Sequence, residues 1–144
     1  EISVMESWNN VEKLPLNQHL SYRKKKSETL VLRPVDEKGY EIQFDSKIVS
    51  ETFNVKYLGL TYDPAFLWNN FDENGEMLYC SEFVAKFLNE FLPRAIETKP
   101  MHFTHYRNDW IKYFHGTPPD GTPGLSPGDF VKSKLFKTLG TIEL

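Results

Sequence analysis

Cys80 is the only cysteine in this sequence, and it stands where a polar, turn-rich stretch passes into a segment with helical apolar spacing. In the first turn of a helix, unpaired backbone N–H groups and the macrodipole favour a thiolate. The same N–H groups can stabilise an oxyanion that forms on an attacked carbonyl. The position therefore suggests a nucleophile, although a cysteine on an apolar stripe is equally typical of a core residue.

The segment that carries Cys80 is the clearest helix in the sequence. Apolar side chains recur on one face at Cys80, Phe83, Val84, Phe87, Leu88 and Phe91. Pro93 then ends the helix because proline cannot continue the hydrogen-bond pattern. We expect the thiol to lie where the buried stripe meets the start of the helix.

Residues 2–8 alternate in polarity and predict a strand. We expect the face with Ile2, Val4, Glu6 and Trp8 to point inward. A carboxylate facing a core needs a partner, and an imidazolium would be one. The simpler interpretation of Glu6 is a solvated carboxylate on an edge strand.

The remaining elements follow from local patterns. Residues 9–28 predict a loop, 29–35 and 40–44 a hairpin, and 47–56 a helix. A last helix begins at Ser126 and reaches Leu139 before a terminating glycine. Strands first and helices later indicate an α+β fold with an antiparallel sheet.

Composition limits the function classes. The 144 residues suit one domain, and 40% hydrophobic with 26% charged residues is typical of a globular protein. A net charge of −3 gives no reason to expect nucleic acid, and the basic run 23–26 reads as a solvated loop. No apolar run is long enough for a membrane span. One cysteine allows neither an intramolecular disulfide nor a multi-cysteine zinc site.

Three histidines cluster in the region 101–115, which is also rich in aromatic residues. His102 and His105 have a spacing that could serve a metal, but no cysteine or well-spaced carboxylate completes the set. We therefore predict no metal and no cofactor. One of His102, His105 and His115 could instead serve Cys80 as a base. The aromatic residues of 60–78 and 101–115 either wall an apolar groove or pack the loops onto the core.

Two motifs around the cysteine resemble a known family. "YCSEFV" at 79–84, preceded by "GLTYDPAF" at 59–66, resembles the circularly permuted papain-like cysteine hydrolases of bacteria, the YiiX-like branch of the NlpC-type superfamily. "VMESWNNVEKLPL" at 4–16 resembles the family's glutamate-bearing strand, and "LSPGDFVKS" at 125–133 resembles its closing helix.

The resemblance implies a permuted papain-like fold in which an antiparallel sheet packs against the cysteine-bearing helix. Cys80 would be the nucleophile of a thiol-dependent amidase, peptidase or ester hydrolase, and Glu6 would orient the imidazole base. Tyr62, Asp63 and Tyr79 would line the site and contact the substrate, although Asp63 with its following proline is also ordinary turn material. The substrate would be a small-molecule, peptide or lipid amide or ester, in the cytoplasm or the cell envelope.

In the family the catalytic histidine precedes the glutamate strand, and this sequence has no such motif. His19 and the three later histidines all follow Glu6, so the resemblance assigns none of them the role of base. We expect residues 1–144 to form a single domain, the C-terminal major part of a permuted domain whose sheet edge is completed by an N-terminal segment or a partner chain. The alternative is a non-catalytic binding or scaffold module of the same fold that has lost its histidine.

Overall fold

The structure, a computed structural model, describes residues 2–22 and 28–143, so the basic run 23–26 lies outside the described residues. The elements follow in this order: β1 (Ser3–Ser7), β2 (Val11–Pro15), α1 (Leu16–Ser21), β3 (Glu28–Pro34), α2 (Ser46–Lys56), β4 (Asn70–Asp72), β5 (Gly75–Met77), α3 (Cys80–Asn89), β6 (Lys99–Pro100), α4 (Arg107–Phe114), β7 (Pro123–Gly124), α5 (Pro127–Lys132) and β8 (Phe136–Glu143).

The strands of the described part form antiparallel pairs. β1 pairs with β2, β3 with β8, β4 with β5 and β6 with β7. The protein is thus a mixed helix and strand structure with antiparallel sheets. No helix within residues 2–22 and 28–143 has the length and apolar character that a membrane crossing requires.

Helix α3 is the centre of the core and begins at Cys80, as the apolar stripe predicts. One of its faces packs into a cluster of buried residues, namely Val11, Phe53, Tyr57, Leu78, Phe83 and Phe87. The rings of Phe83 and Phe87 stack with centroids 5.6 Å apart. Another face meets a second cluster, formed by Ala85, Ile96, Leu125 and Phe130. Burying a large apolar side chain contributes about 1.5–3 kcal/mol, so packing on two sides fixes the helix that carries the thiol.

The predicted orientation of β1 is wrong. Ser7 is only 3% exposed, and its hydroxyl donates to the carbonyl of Leu78 at 2.6 Å. Met5 packs against the first cluster, whereas Ile2 and Trp8 are 70% and 72% exposed. The inward face is the one with Met5 and Ser7, because the strand docks onto the residues just before α3. Glu6 lies on the opposite face.

The predicted hairpin and the length of the last helix are also wrong. β3 pairs with β8 along its length. The segment 40–44 forms no strand and meets the end of β3 only at the turn, where Val35 bridges Glu41 and Ile42 N donates to the carbonyl of Pro34 at 3.1 Å. Helix α5 ends at Lys132, and Leu139 lies in β8. The region 9–28, predicted as a loop, contains β2 and α1. The long-range pairing of β8 with β3 overrides the local helical pattern.

The predicted helix 47–56 is confirmed as α2. The side chain of Asp45 caps it by accepting hydrogen bonds from the N–H groups of Lys47 and Ile48. The last helix begins at Ser126 as predicted, and there Ser126 and Asp129 form a capping box at the start of α5. These starts were predictable because a helix cap is encoded within a few consecutive residues.

Candidate functional site

Cys80 is the first residue of α3 and is partly exposed. Tyr79, the preceding residue, has an extended backbone and makes no side-chain hydrogen bond to cap the helix. The first N–H groups of a helix have no partner within the helix itself. The thiol therefore lies beside donors that a ligand oxygen could reach.

An apolar groove of about 670 Å³ runs past Cys80 between β3, α3 and α5. Its apolar wall includes Leu30, Leu32, Phe44, Val84, Leu88, Phe130, Val131 and Phe136. Thr29 also lines the groove, and its hydroxyl oxygen is buried without a hydrogen-bond partner in the described part of the chain. A groove of this size and character can hold an apolar group next to the thiol.

Tyr62 lies close enough to Cys80 to interact with it electrostatically. Burial is the main cause that raises the pKa of Tyr62 to about 12, and the electrostatic interactions with Cys80, Tyr113 and Asp63 contribute less to the same shift. The phenol is therefore protonated at neutral pH. It can donate a hydrogen bond but cannot serve as a base.

Asp63 is fully buried, and its carboxylate has hydrogen-bond partners in the loop that follows it. Its carboxylate accepts hydrogen bonds from Ala65 N at 2.9 Å, Leu67 N at 2.9 Å and the side-chain amide of Asn70 at 3.1 Å. This arrangement shapes the loop and offers little to a ligand.

Tyr79 is also buried, and its hydroxyl oxygen accepts a hydrogen bond from Leu125 N at 3.0 Å. Burial raises the pKa of Tyr79. Gly124 permits this contact, because a Cβ at that position would come within 2.7 Å of the Tyr79 hydroxyl. Tyr79, like Asp63, is buried, and neither side chain presents a surface to substrate.

Glu6 has a histidine partner that the sequence analysis missed. An oxygen of its carboxylate is in close contact with Nδ1 of His19, and both side chains are about four-fifths buried, with 20% and 19% of their surface exposed. His19 lies on α1, which follows β2 without a break and folds back over β1. The only indication in the sequence was that Glu6 needs a partner. Because residues 9–28 were predicted as a loop, His19 was not recognised as that partner.

Glu6 and Cys80 line different cavities. Glu6 and His19 border a cavity of about 490 Å³ together with Trp8, Asn9, Glu12 and Tyr22. The Cys80 groove contains none of these residues. The structure thus forms a histidine–carboxylate pair, but it does not bring the pair and the thiol into one cavity.

The later histidines lie on the surface. His102, His105 and His115 are all exposed, and the ring of His105 contacts that of Tyr106 at 4.2 Å. Within residues 2–22 and 28–143, no group of three or more histidine, cysteine, aspartate or glutamate side chains could hold a metal ion. No described contact joins one of these histidines to Cys80.

Comparison with known proteins gives a similarity at the level of the fold. No protein-family model and no curated protein matches the chain. A solved structure does match: the crystal structure of the metalloprotein YiiX from Escherichia coli O157:H7, described as DUF1105, with a TM-score of 0.74 and 21% identity. The match covers 99% of this chain and 77% of that one. This chain has a YiiX-like fold. At this level of identity the similarity extends to the fold alone.

Proposed function

We propose that the chain is a thiol-dependent hydrolase or acyltransferase that cleaves an amide or ester bond through Cys80. The observation that carries this proposal is the position of the thiol. It is partly exposed, it begins a helix without a side-chain cap, and it borders an apolar groove. A core cysteine would have none of these three properties.

In the proposed reaction the Cys80 thiolate attacks the substrate carbonyl and forms a tetrahedral oxyanion. The N–H groups at the start of α3 stabilise this oxyanion, and the phenol of Tyr62, which stays protonated at neutral pH, is the proposed further donor. Collapse expels the amine or alcohol, which takes up a proton from a general acid, and leaves a thioester on Cys80. Water or a second acceptor then releases the acyl group.

The proposed base is a histidine oriented by a carboxylate, and Glu6 is the candidate orienting residue. Its contact with His19 supports this assignment in part, because it gives Glu6 the kind of partner the role requires. We further propose a single domain of permuted papain-like arrangement. β1 pairs with β2 alone in the described part, so its other edge could accept a further strand.

The groove favours a substrate with an apolar acyl group, because aliphatic and aromatic side chains dominate its wall beside Cys80. The matched YiiX is described as a metalloprotein. The described residues of this chain bring no three metal-binding side chains together. A metal is therefore not part of the proposal.

The second candidate is a non-catalytic binding module with the same fold. The separation of Cys80 from the Glu6–His19 pair into two cavities favours it. In that case the groove binds an apolar ligand, and the thiol has no reaction to perform.

Two measurements on the full chain distinguish these candidates. One is hydrolysis of p-nitrophenyl esters by the wild type and by Cys80→Ala. The other is the iodoacetamide alkylation rate of Cys80 between pH 5 and 9. The hydrolase requires activity that disappears in Cys80→Ala, together with alkylation at pH 6 about 10-fold faster than for an ordinary thiol. Equal activity of the two proteins and alkylation like that of a free thiol would reject it.

A further inference from the structure

The segment 64–70, here called the Phe66 loop, has an unusual backbone. Phe66 and Asn69 both adopt left-handed conformations, with φ values of 54° and 62°. Residues with side chains rarely adopt such conformations, and they persist only where surrounding contacts enforce them. The contacts that hold this loop therefore need an explanation.

Two buried carboxylates hold the Phe66 loop from opposite ends. Asp63 accepts three hydrogen bonds from the loop, as described above. Glu82, which is fully buried on α3, accepts a hydrogen bond from Asn69 N at 2.9 Å. In each of these hydrogen bonds a backbone or side-chain amide N–H of the loop donates to a carboxylate oxygen. Hydrogen bonds to an ionised acceptor are stronger than those between neutral groups.

Lys86 reinforces the attachment to α3. Its ammonium lies 2.8 Å from Glu82, donates to the side chain of Asn69 at 2.7 Å and lies 4.8 Å from the ring centre of Trp68. It is also paired with Glu76. The loop is thus joined to the first two turns of the helix that begins at Cys80.

The loop presents one side chain to a large aromatic cluster. The ring of Phe66 has its centroid 5.4–6.4 Å from those of Tyr62, Tyr79, Phe103, Trp110, Tyr113 and Phe114. Tyr79 immediately precedes Cys80, and Tyr62 interacts electrostatically with the thiol. Phe66 therefore connects the aromatic residues of α4 to the start of α3.

One oxygen of Glu82 has no role in this packing. Oε2 is buried and has no hydrogen-bond partner within the described residues. Burial raises the pKa of Glu82, although Lys86 and the Asn69 N–H oppose this effect. A buried, half-satisfied carboxylate is costly, and such groups concentrate at sites with a functional demand.

We propose that Glu82 and Asp63 are positioning residues that hold the Phe66 loop so that its aromatic cluster forms a fixed wall beside Cys80. This rests on the proposed function, in which the groove beside Cys80 receives the apolar acyl group. The aromatic wall lies outside that groove and would receive a further aromatic or apolar part of the substrate. Neither carboxylate touches the reacting atoms.

The test uses Glu82→Ala and Glu82→Gln, with Glu76→Gln as the matched control. Glu82→Gln keeps an acceptor oxygen for Asn69 N, whereas Glu76→Gln removes the other ion pair of Lys86 and leaves the loop bond intact. Three quantities are measured: the near-ultraviolet circular dichroism of the aromatic residues, the ratio of Cys80 modification rates by N-phenylmaleimide and N-ethylmaleimide, and KM for p-nitrophenyl phenylacetate.

In Glu82→Ala we expect a reduced aromatic signal, a maleimide rate ratio about 5-fold lower, and a KM about 10-fold higher with kcat changed less than about 3-fold. Glu82→Gln should restore most of each quantity, and Glu76→Gln should resemble the wild type. Unchanged values in Glu82→Ala, no rescue by glutamine, or an equal loss in Glu76→Gln would each overturn the proposal.

If Glu82→Ala does not fold, amide hydrogen exchange in the wild type decides the question. The N–H groups of Ala65, Leu67 and Asn69 should exchange at least about 100-fold more slowly than in an unfolded chain. Exchange at unfolded rates would refute the attachment. The dichroism and the maleimide ratio need no hydrolytic activity, so they report on the loop even if Cys80→Ala proves as active as the wild type.

Discussion

The Cys80 region and the Glu6–His19 region differ in how they are built. In the first, buried carboxylates and aromatic rings join the Phe66 loop to the start of α3, which is close in sequence, and β3 and α5 add the wall of the groove. The second joins an outward-facing strand residue to a six-residue helix without buried residues. Buried packing therefore holds the start of the helix that carries the thiol, whereas the histidine–carboxylate pair borders a separate cavity.

This difference suggests a division of roles. The packing around α3 can set the position of a nucleophile to within a fraction of an ångström, as catalysis requires. The Glu6–His19 pair joins two elements at a separate cavity, and neither residue lines the groove of Cys80. Variants in both regions can show whether the Glu6–His19 pair takes part in the chemistry at Cys80.

The largest effect is expected from removing the thiol. Cys80→Ala should lower kcat/KM for ester hydrolysis by at least about a thousandfold, because the proposed acyl-enzyme forms on the Cys80 sulfur. Cys80→Ser, which keeps the shape but supplies a weaker nucleophile, is the control for packing. A loss below tenfold in both variants would remove Cys80 from the reaction.

The core beneath the thiol should be the next most sensitive. Phe83→Ala should reduce the free energy of unfolding by about 3–5 kcal/mol, because the ring is 1% exposed and lies within the first cluster. Urea denaturation measures this loss. Val84→Ala, at a neighbouring position that is 37% exposed, should cost less than about 1 kcal/mol. Equal losses in the two variants would contradict the assignment of the core.

Glu6→Gln tests the link between the two regions. If Glu6 orients the base, kcat should fall about 10–100-fold while near-ultraviolet dichroism stays as in the wild type. His19→Ala is the matched variant at the partner position. A similar fall in kcat would show that His19 acts together with Glu6. Changes below about threefold in both would favour the binding module.

Two glutamates on or next to α3 should show opposite pH effects on stability. Lys56 and Tyr57 lower the pKa of Glu90, so its stabilising contribution is present above the ordinary carboxyl pKa and is lost as the pH falls. Burial raises the pKa of Glu82, so its contribution is most favourable when protonated at low pH and declines as the pH rises past the ordinary value.

Thermal melts of Glu90→Gln and Glu82→Gln from pH 3 to 7 measure both effects. Relative to the wild type, Glu90→Gln should be less stable at pH 7, by below about 1 kcal/mol, and equal at pH 3. The stability of Glu82→Gln relative to the wild type should be most favourable at pH 7 and least favourable at pH 3. Parallel curves for the two variants would mean that burial and pairing do not distinguish these carboxylates.

Local signals predicted the elements that carry the thiol. The apolar stripe predicted the start of α3 at Cys80, and the local pattern of 47–56 predicted α2, which the structure shows capped by Asp45. The pairing of β3 with β8 was not predictable, because it joins residues more than 100 positions apart and no turn marks it. Alternation in β1 identified two faces but not the buried one, since Met5 and Ser7 are no more apolar as a pair than Val4 and Trp8.

The candidate site divides in the same way. Residues next to the cysteine motif lie where the sequence places them, although Asp63 and Tyr79 are buried and act as supports. His19 could not be found, because its contact with Glu6 depends on a short helix that lacks a capping side chain and an apolar stripe. Tertiary contacts stabilise short helices of this kind, and local sequence patterns do not reveal those contacts.

The central claim is that Cys80 carries the acyl group during turnover. Incubating the wild type with p-nitrophenyl acetate, quenching with acid within seconds and measuring the intact mass tests it directly. We expect one added acetyl group, which peptide mapping locates on Cys80. Hydroxylamine should release this group, and Cys80→Ala should not acquire it. An unmodified wild-type protein during active turnover, or the same adduct in Cys80→Ala, would contradict it.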